Sequence, residues 1–364
     1  MNMLRPGVLV LIVTAGLMGC HSKQPDPMAR LLLQPDDAAL LGYRVQWHSD
    51  LRIDYGSRLN DAWVIGDLVV AYEPDNLVSV LDANSGKPLW RRGVGTEQER
   101  LSAPARSGDN LAISSETHVH VYSIQTGDLL MSFPLKYLVN TPPAVTSNLA
   151  IYGSPQGRVF ATDLATGYAV WEYQMGAAIN THPIIQGHMV VVIDHLGDFA
   201  ALDPLTSELI YRKPTHGHIS ADPIVDDDHI YIASEDYSLY CFNRLNNKQV
   251  WKRVTGHPLT ASPMLAGRMV FQAVPSEGVH VFDRSDGSSL WKLPPLSRPI
   301  TMLNGDVLVH RPGWLSIVDA ETGEPLEEVR AKSVHRVLVD GPRDGSVYLV
   351  RDDGRITKLG PSGR

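Results

Sequence analysis

The chain has 364 residues, of which 43% are hydrophobic and only 20% charged, ample for a large packed core. Its formal net charge of −8, with no dense Lys/Arg stripe, argues against a nucleic-acid-binding surface. The 30 Gly and 25 Pro are spread along the chain, which predicts many short strands and turns rather than a disordered tract.

The N-terminus reads as a targeting segment. Arg5 supplies a minimal positive start, residues 8–18 are apolar, and Leu17-Met18-Gly19-Cys20 follows. The apolar run is too short to span a bilayer, which takes about 20 residues. The tetrapeptide resembles the lipobox of bacterial lipoproteins, with Met18 where a small residue is usual. The resemblance implies a signal peptide over residues 1–19, acylation of Cys20, and a membrane anchor worth about 0.8 kcal/mol per buried methylene. An ordinary secretory signal with an incidental Cys is the alternative. His21 and Ser22, rather than Asp, follow the Cys, which by lipoprotein sorting implies the outer membrane, facing the periplasm. Residues 20–40 show little periodicity and are expected to form a tether.

From residue 41 onward one unit repeats. Its clearest copy is Ala161-Thr162-Asp163-Leu164-Ala165-Thr166-Gly167-Tyr168-Ala169-Val170-Trp171, which reads as strand, tight turn, strand. The Asp position recurs as Asp82, Ser123, Asp163, Asp203, Asn243, Asp283 and Asp319, at spacings of 41, 40, 40, 40, 40 and 36. Four residues on stand Gly86, Gly127, Gly167, Ser207, Asn247, Gly287 and Gly323, at a site that favours positive φ. Four further on stand Trp90, Met131, Trp171, Tyr211, Trp251, Trp291 and Glu327. A fixed period near forty marks a propeller or solenoid and overrides the two-domain expectation from length.

Upstream, Pro104, Pro143, Pro183, Pro223, Pro263 and Pro299 mark the start of an innermost strand, where a missing N–H costs no ladder bond. Each unit then carries four strands. At the N-terminal end, Val45-Gln46-Trp47-His48 looks like a fourth strand lacking its predecessors. At the other end, residues 353–360 look like a third strand lacking its successor. Pairing the two ends completes a unit and closes the ring, which removes exposed sheet edges. The expected fold is all-β: an eight-bladed β-propeller of four-stranded blades, with Trp47, Trp90, Trp171, Tyr211, Trp251 and Trp291 wedged between blades.

The repeat resembles the tryptophan-docking repeat of pyrroloquinoline quinone (PQQ) dehydrogenases and their relatives. With the lipobox, eight short repeats and this length, the chain more closely resembles the BamB family, lipoprotein subunits of the outer-membrane β-barrel assembly machine. That resemblance implies a non-enzymatic scaffold in the bacterial envelope that needs no cofactor. Its implied partners are envelope proteins, among them a BamA-type assembly factor. In BamB the contact with BamA lies in loops between middle blades that are rich in Leu, Arg and Asp. The corresponding stretches here are residues 175–180, with no Arg, Leu or acid, and 215–221, with His216-Gly217-His218. No BamB contact residue transfers by position.

A quinoprotein-like oxidoreductase, or a small-ligand binder using the axial funnel, is the alternative. The resemblance to PQQ dehydrogenases would require a vicinal Cys pair, but Cys241 is the only cysteine besides Cys20 and sits in an apolar strand. Asp61, His182, Asp222, Arg298 and Arg336 fall at or near the starts of innermost strands and are expected to ring the funnel mouth, there satisfying one another or holding a small ligand. His118-Val119-His120 and His216-Gly217-His218 have two-ligand spacing without a nearby third ligand, and Asp226-Asp227-Asp228 reads as a solvated turn. No metal, catalytic or cofactor residue is assigned.

Overall fold

The computed structural model describes residues 31–341 and 343–363. The expected signal peptide and Cys20 lie outside the described residues. Among those described, the strands form eight antiparallel sheets of four strands each. Seven are sequential. Blade 1 uses Asp61–Ile65, Leu68–Tyr72, Leu77–Asp82 and Pro88–Gly93, and blades 2 to 7 follow at the repeat spacing. Blade 8 is composite: Arg336–Val339, Val347–Val350 and Arg355–Pro361 are completed by Tyr43–Asp50 from the other end of the chain. Ser49 pairs with Ile356 and Trp47 with Lys358, so the two ends zip together as their half-units require.

First strands of neighbouring blades approach one another around the axis and range from two residues, Ala144–Val145 in blade 3, to six, Arg298–Leu303 in blade 7. Second and third strands are covered on both faces by adjacent blades, so they read as continuous apolar runs rather than alternating ones. Met189–Ile193 is buried at every position. Outermost strands are largely exposed and bury one large residue each in most blades, as Pro88–Gly93 buries Trp90. The hydrophobic core is accordingly divided into eight clusters, each lying between one blade and the next.

A one-residue bulge recurs where each outermost strand begins. In blade 1 Val80 faces Trp90 and Leu81 faces Pro88, which leaves Leu89 as the extra residue. Leu130, Val170, Ile210, Val250, Leu290 and Leu326 are the extras in blades 2 to 7, and Gln46 in blade 8. Each stands one residue before the docking position. A bulge adds local twist and re-aims the following side chain; here it turns the next residue towards the neighbouring blade.

The seam between blades 7 and 8 is built differently. Blade 7 carries exposed Glu327 at the docking position. Leu32, Leu33, Ala38 and Leu41, all at most 5% exposed, instead pack with Ile317 and Val329 of blade 7 and Val337, Val347 and Leu359 of blade 8. The Leu32 N–H donates to Thr357 Oγ1 at 3.3 Å, and a short helix, Pro35–Leu40, leads into the first strand. Residues 32–40 of the expected tether, together with Leu41, therefore fill the seam that lacks a docking aromatic.

Candidate functional site

The docking residues make equivalent contacts at six of the eight seams. Each indole or phenol donates to the carbonyl one residue past the turn Asp, Asn or Ser of the next blade: Trp47 to Ala83, Trp90 to Ile124, Trp171 to Pro204, Tyr211 to Arg244, Trp251 to Arg284 and Trp291 to Ala320, at 2.7–3.1 Å. The aromatic face lies on the turn residue four past the Asp. A Cβ built on Gly86, Gly127, Gly287 or Gly323 would stand 2.5–2.7 Å from the facing indole. Between blades 2 and 3 Phe133, not Met131, covers Gly167. These residues hold blade to blade and present nothing to a ligand.

The expected funnel residues are joined mostly in pairs. The backbone N–H of His182 donates to Asp222 Oδ1 at 2.7 Å, and its Nε2 lies 3.1 Å from the Pro143 carbonyl. Arg336 bonds Asp352 at 2.9 Å and lies 3.7 Å from Asp61. Arg298 is exposed at the start of its strand. Burial, aided by the nearby Arg298 charge, holds His310 below the usual imidazole range, and its Nε2 is buried without a partner among the described residues.

The same face carries a cleft of about 670 Å³ over blades 1 and 2. Asp61, Asp75, Glu97 and Glu99 line it opposite a single Arg100, and its apolar wall includes Trp63, Tyr72 and Leu101. Trp63 and Tyr72 meet edge to face with ring centroids 4.6 Å apart. Asp61 was visible in the sequence as a strand-start residue. Trp63 and Tyr72 belong to the first two strands of blade 1, and the other charged residues come from the turn after the second strand and the connection from blade 1 to blade 2. The one sequence signal for them is the charged run Glu97-Gln98-Glu99-Arg100 in that connection.

With this geometry in view, the family comparison is decisive. Residues 74–293, more than half of the chain, match the family described as outer membrane protein assembly factor BamB. The chain belongs to this family. The crystal structure of BamB from Moraxella catarrhalis superposes with a TM-score of 0.69 at 17% identity, covering 87% of this chain and 99% of that one. A computationally designed protein, Ika8, superposes with a TM-score of 0.66 at 16% identity, covering 84% and 97%. No curated protein matches this chain.

Within this BamB-family propeller, the loop at residues 215–221 places His218 Nδ1 2.9 Å from His195 Nε2 of the neighbouring turn. His118 and His120 stack 6.2 Å apart, and their ring nitrogens engage Thr117, Glu99 and Ser132 instead of converging. Asp226, Asp228 and His229 bring ligand atoms within 4.8 Å of one another, but Arg284 already lies 2.6 Å from Asp226 and competes with any cation there. Cys241 is fully buried, and burial pushes its thiol up to about 12, so the thiolate that reacts or binds metal is not formed at neutral pH.

Proposed function

We propose that this protein is a lipid-anchored, non-enzymatic propeller that holds partner proteins during outer-membrane protein assembly. The observation that carries the reading is the family match across residues 74–293. The geometry agrees with it: a ring with every blade locked to the next is a rigid disc whose inter-blade loops can be held ready for docking, which lowers the ordering cost of association. Acylation at Cys20 would hold the disc at the outer membrane facing the periplasm, with a BamA-type assembly factor as its leading partner. The bond from the His182 backbone N–H to Asp222, the contact of the His182 ring with the Pro143 carbonyl and the pairing of Arg336 with Asp352 favour this reading over a cofactor-holding funnel, since those groups already have partners within the protein.

Crosslinking in intact envelopes followed by affinity capture tests the proposal. A BamA-type protein is expected among the captured partners, and Cys20→Ala is expected to release the protein from the membrane fraction. Capture of unrelated envelope proteins alone would remove the assembly role.

A further inference from the structure

The cleft over blades 1 and 2 is built for a particular chemistry. Of its four carboxylates, Asp61 lies 3.7 Å from Arg336 and Glu99 lies 3.2 Å from His120. Asp75 and Glu97 are exposed and make no ion pair among the described residues. Half-buried Trp63 adds an aromatic surface beside them, and Tyr72 is held by donating its hydroxyl to the Ser102 carbonyl at 2.9 Å. Carboxylates beside an indole attract an ammonium or guanidinium group by charge and through the ring quadrupole.

A second feature says what the cation is attached to. The walls Arg100 and Leu101 are shared with a recess of about 190 Å³, lined also by Ser102 and Thr141. Thr141 is only 4% exposed and its hydroxyl has no partner among the described residues, and the Ser102 hydroxyl is likewise buried and unbonded among them. One blade further on, the equivalent Thr181 donates to the Ile193 carbonyl at 2.9 Å, a bond that Thr141 does not make. Buried hydroxyls without partners are uncommon and favour a ligand that brings hydrogen-bonding groups to them. A polypeptide offers carbonyls and amides next to a basic side chain; a polyamine offers no carbonyl acceptor.

The connection that carries Glu97 and Glu99 is already set. Asn76 Nδ2 donates to the carbonyls of Thr96 at 2.6 Å and Glu99 at 2.8 Å, and the Val94 N–H donates to the Asn76 carbonyl. Asp75 and Asn76 hold this arrangement at φ 59° and 54°, in the left-handed region.

We propose that this cleft docks an extended basic segment of a partner polypeptide, an Arg or Lys side chain lying between Asp75 and Glu97 against Trp63 and the adjoining peptide groups meeting Ser102 and Thr141. This deepens the scaffold reading and rests on it, naming where and by what chemistry one partner is held.

The test is calorimetric titration of the purified protein with acetyl-Gly-Arg-Gly-amide, its uncharged citrulline counterpart, and spermidine. The arginine peptide is expected to bind saturably, the citrulline peptide about tenfold or more weaker, and the Asp75→Asn, Glu97→Gln double variant to lose about the same factor. Asn tolerates the left-handed backbone at position 75, so the variant should fold; its thermal transition is checked alongside. Thr141→Val, which removes only the recess hydroxyl, is expected to weaken the peptide and leave spermidine unchanged. No saturable peptide binding, binding undiminished in the double variant, or binding of spermidine alone would overturn the proposal. Envelope capture separates this from the scaffold reading: the same partners on wild type and double variant would remove the cleft and leave the scaffold standing, whereas no partners on wild type would remove the scaffold itself.

Discussion

A glycine four residues past an aspartate has two reasons to be there. All seven turn positions, from Gly86 to Gly323, have positive φ, including Ser207 at 63° and Asn247 at 57°. Where the residue is Gly, an aromatic ring from the preceding blade also rests on the missing Cβ. The two causes can be separated. Gly108 has φ 59° but open space around it, so Gly108→Ala is expected to cost about 1–2 kcal/mol from backbone strain alone. Gly127→Ala adds a clash with Trp90 and is expected to cost about 2–4 kcal/mol. Urea unfolding midpoints of the two variants measure the difference.

Protonation acts at this scale too. Burial holds His280 and His310 below their ordinary value of 6.5. The unfolded chain therefore takes up protons first as pH falls, so the stability these groups confer is complete above about 6.5 and lost as pH drops through their folded values. Hydrogen bonds from the turn residues do the same for Asp82, Asp203, Asp283 and Asp319 below 3.8. Two separate declines are expected in urea midpoint against pH, and His310→Leu should flatten the first while leaving the second.

Elements show what the repeat alone could not reveal. The docking register was legible because Trp, Gly and Asp recur at fixed spacing. The bulge before each docking position was not: its extra residue is a branched aliphatic in seven blades, from Leu89 to Leu326, and Gln46 in the eighth, residue types that any strand carries, so the bulge is defined only by which partner is skipped. The role of residues 32–41 was hidden for a related reason. Leu32 and Leu33 precede the first strand and match no repeat position, and the gap they fill is set by Glu327, nearly three hundred residues away. Leu33→Ala is expected to cost about 2–4 kcal/mol, as for a core leucine. Glu327→Ala, on an exposed strand, should stay within about 0.5 kcal/mol. A negligible loss at Leu33, read by chemical denaturation, would mean that the segment lies on the seam without supporting it.

At the scale of the whole molecule, ring closure followed from two unmatched half-units at opposite ends, and the structure joins them through Tyr43–Asp50 and Arg355–Pro361. The candidate site was far less legible. Its lining is drawn from two strands of blade 1, one turn and the connections after blades 1 and 2, and its charged residues other than Asp61 match no repeat position. Periodicity identifies what every blade must do, and a site on one pair of blades departs from that pattern. Scaffolding by such a disc is tested most directly by calorimetry between the purified protein and the purified periplasmic part of a BamA-type assembly factor from the same organism. Saturable binding that persists unchanged in the presence of PQQ and Ca²⁺ is the predicted result. No binding to that partner, together with tight binding of PQQ at the axial funnel, would contradict it.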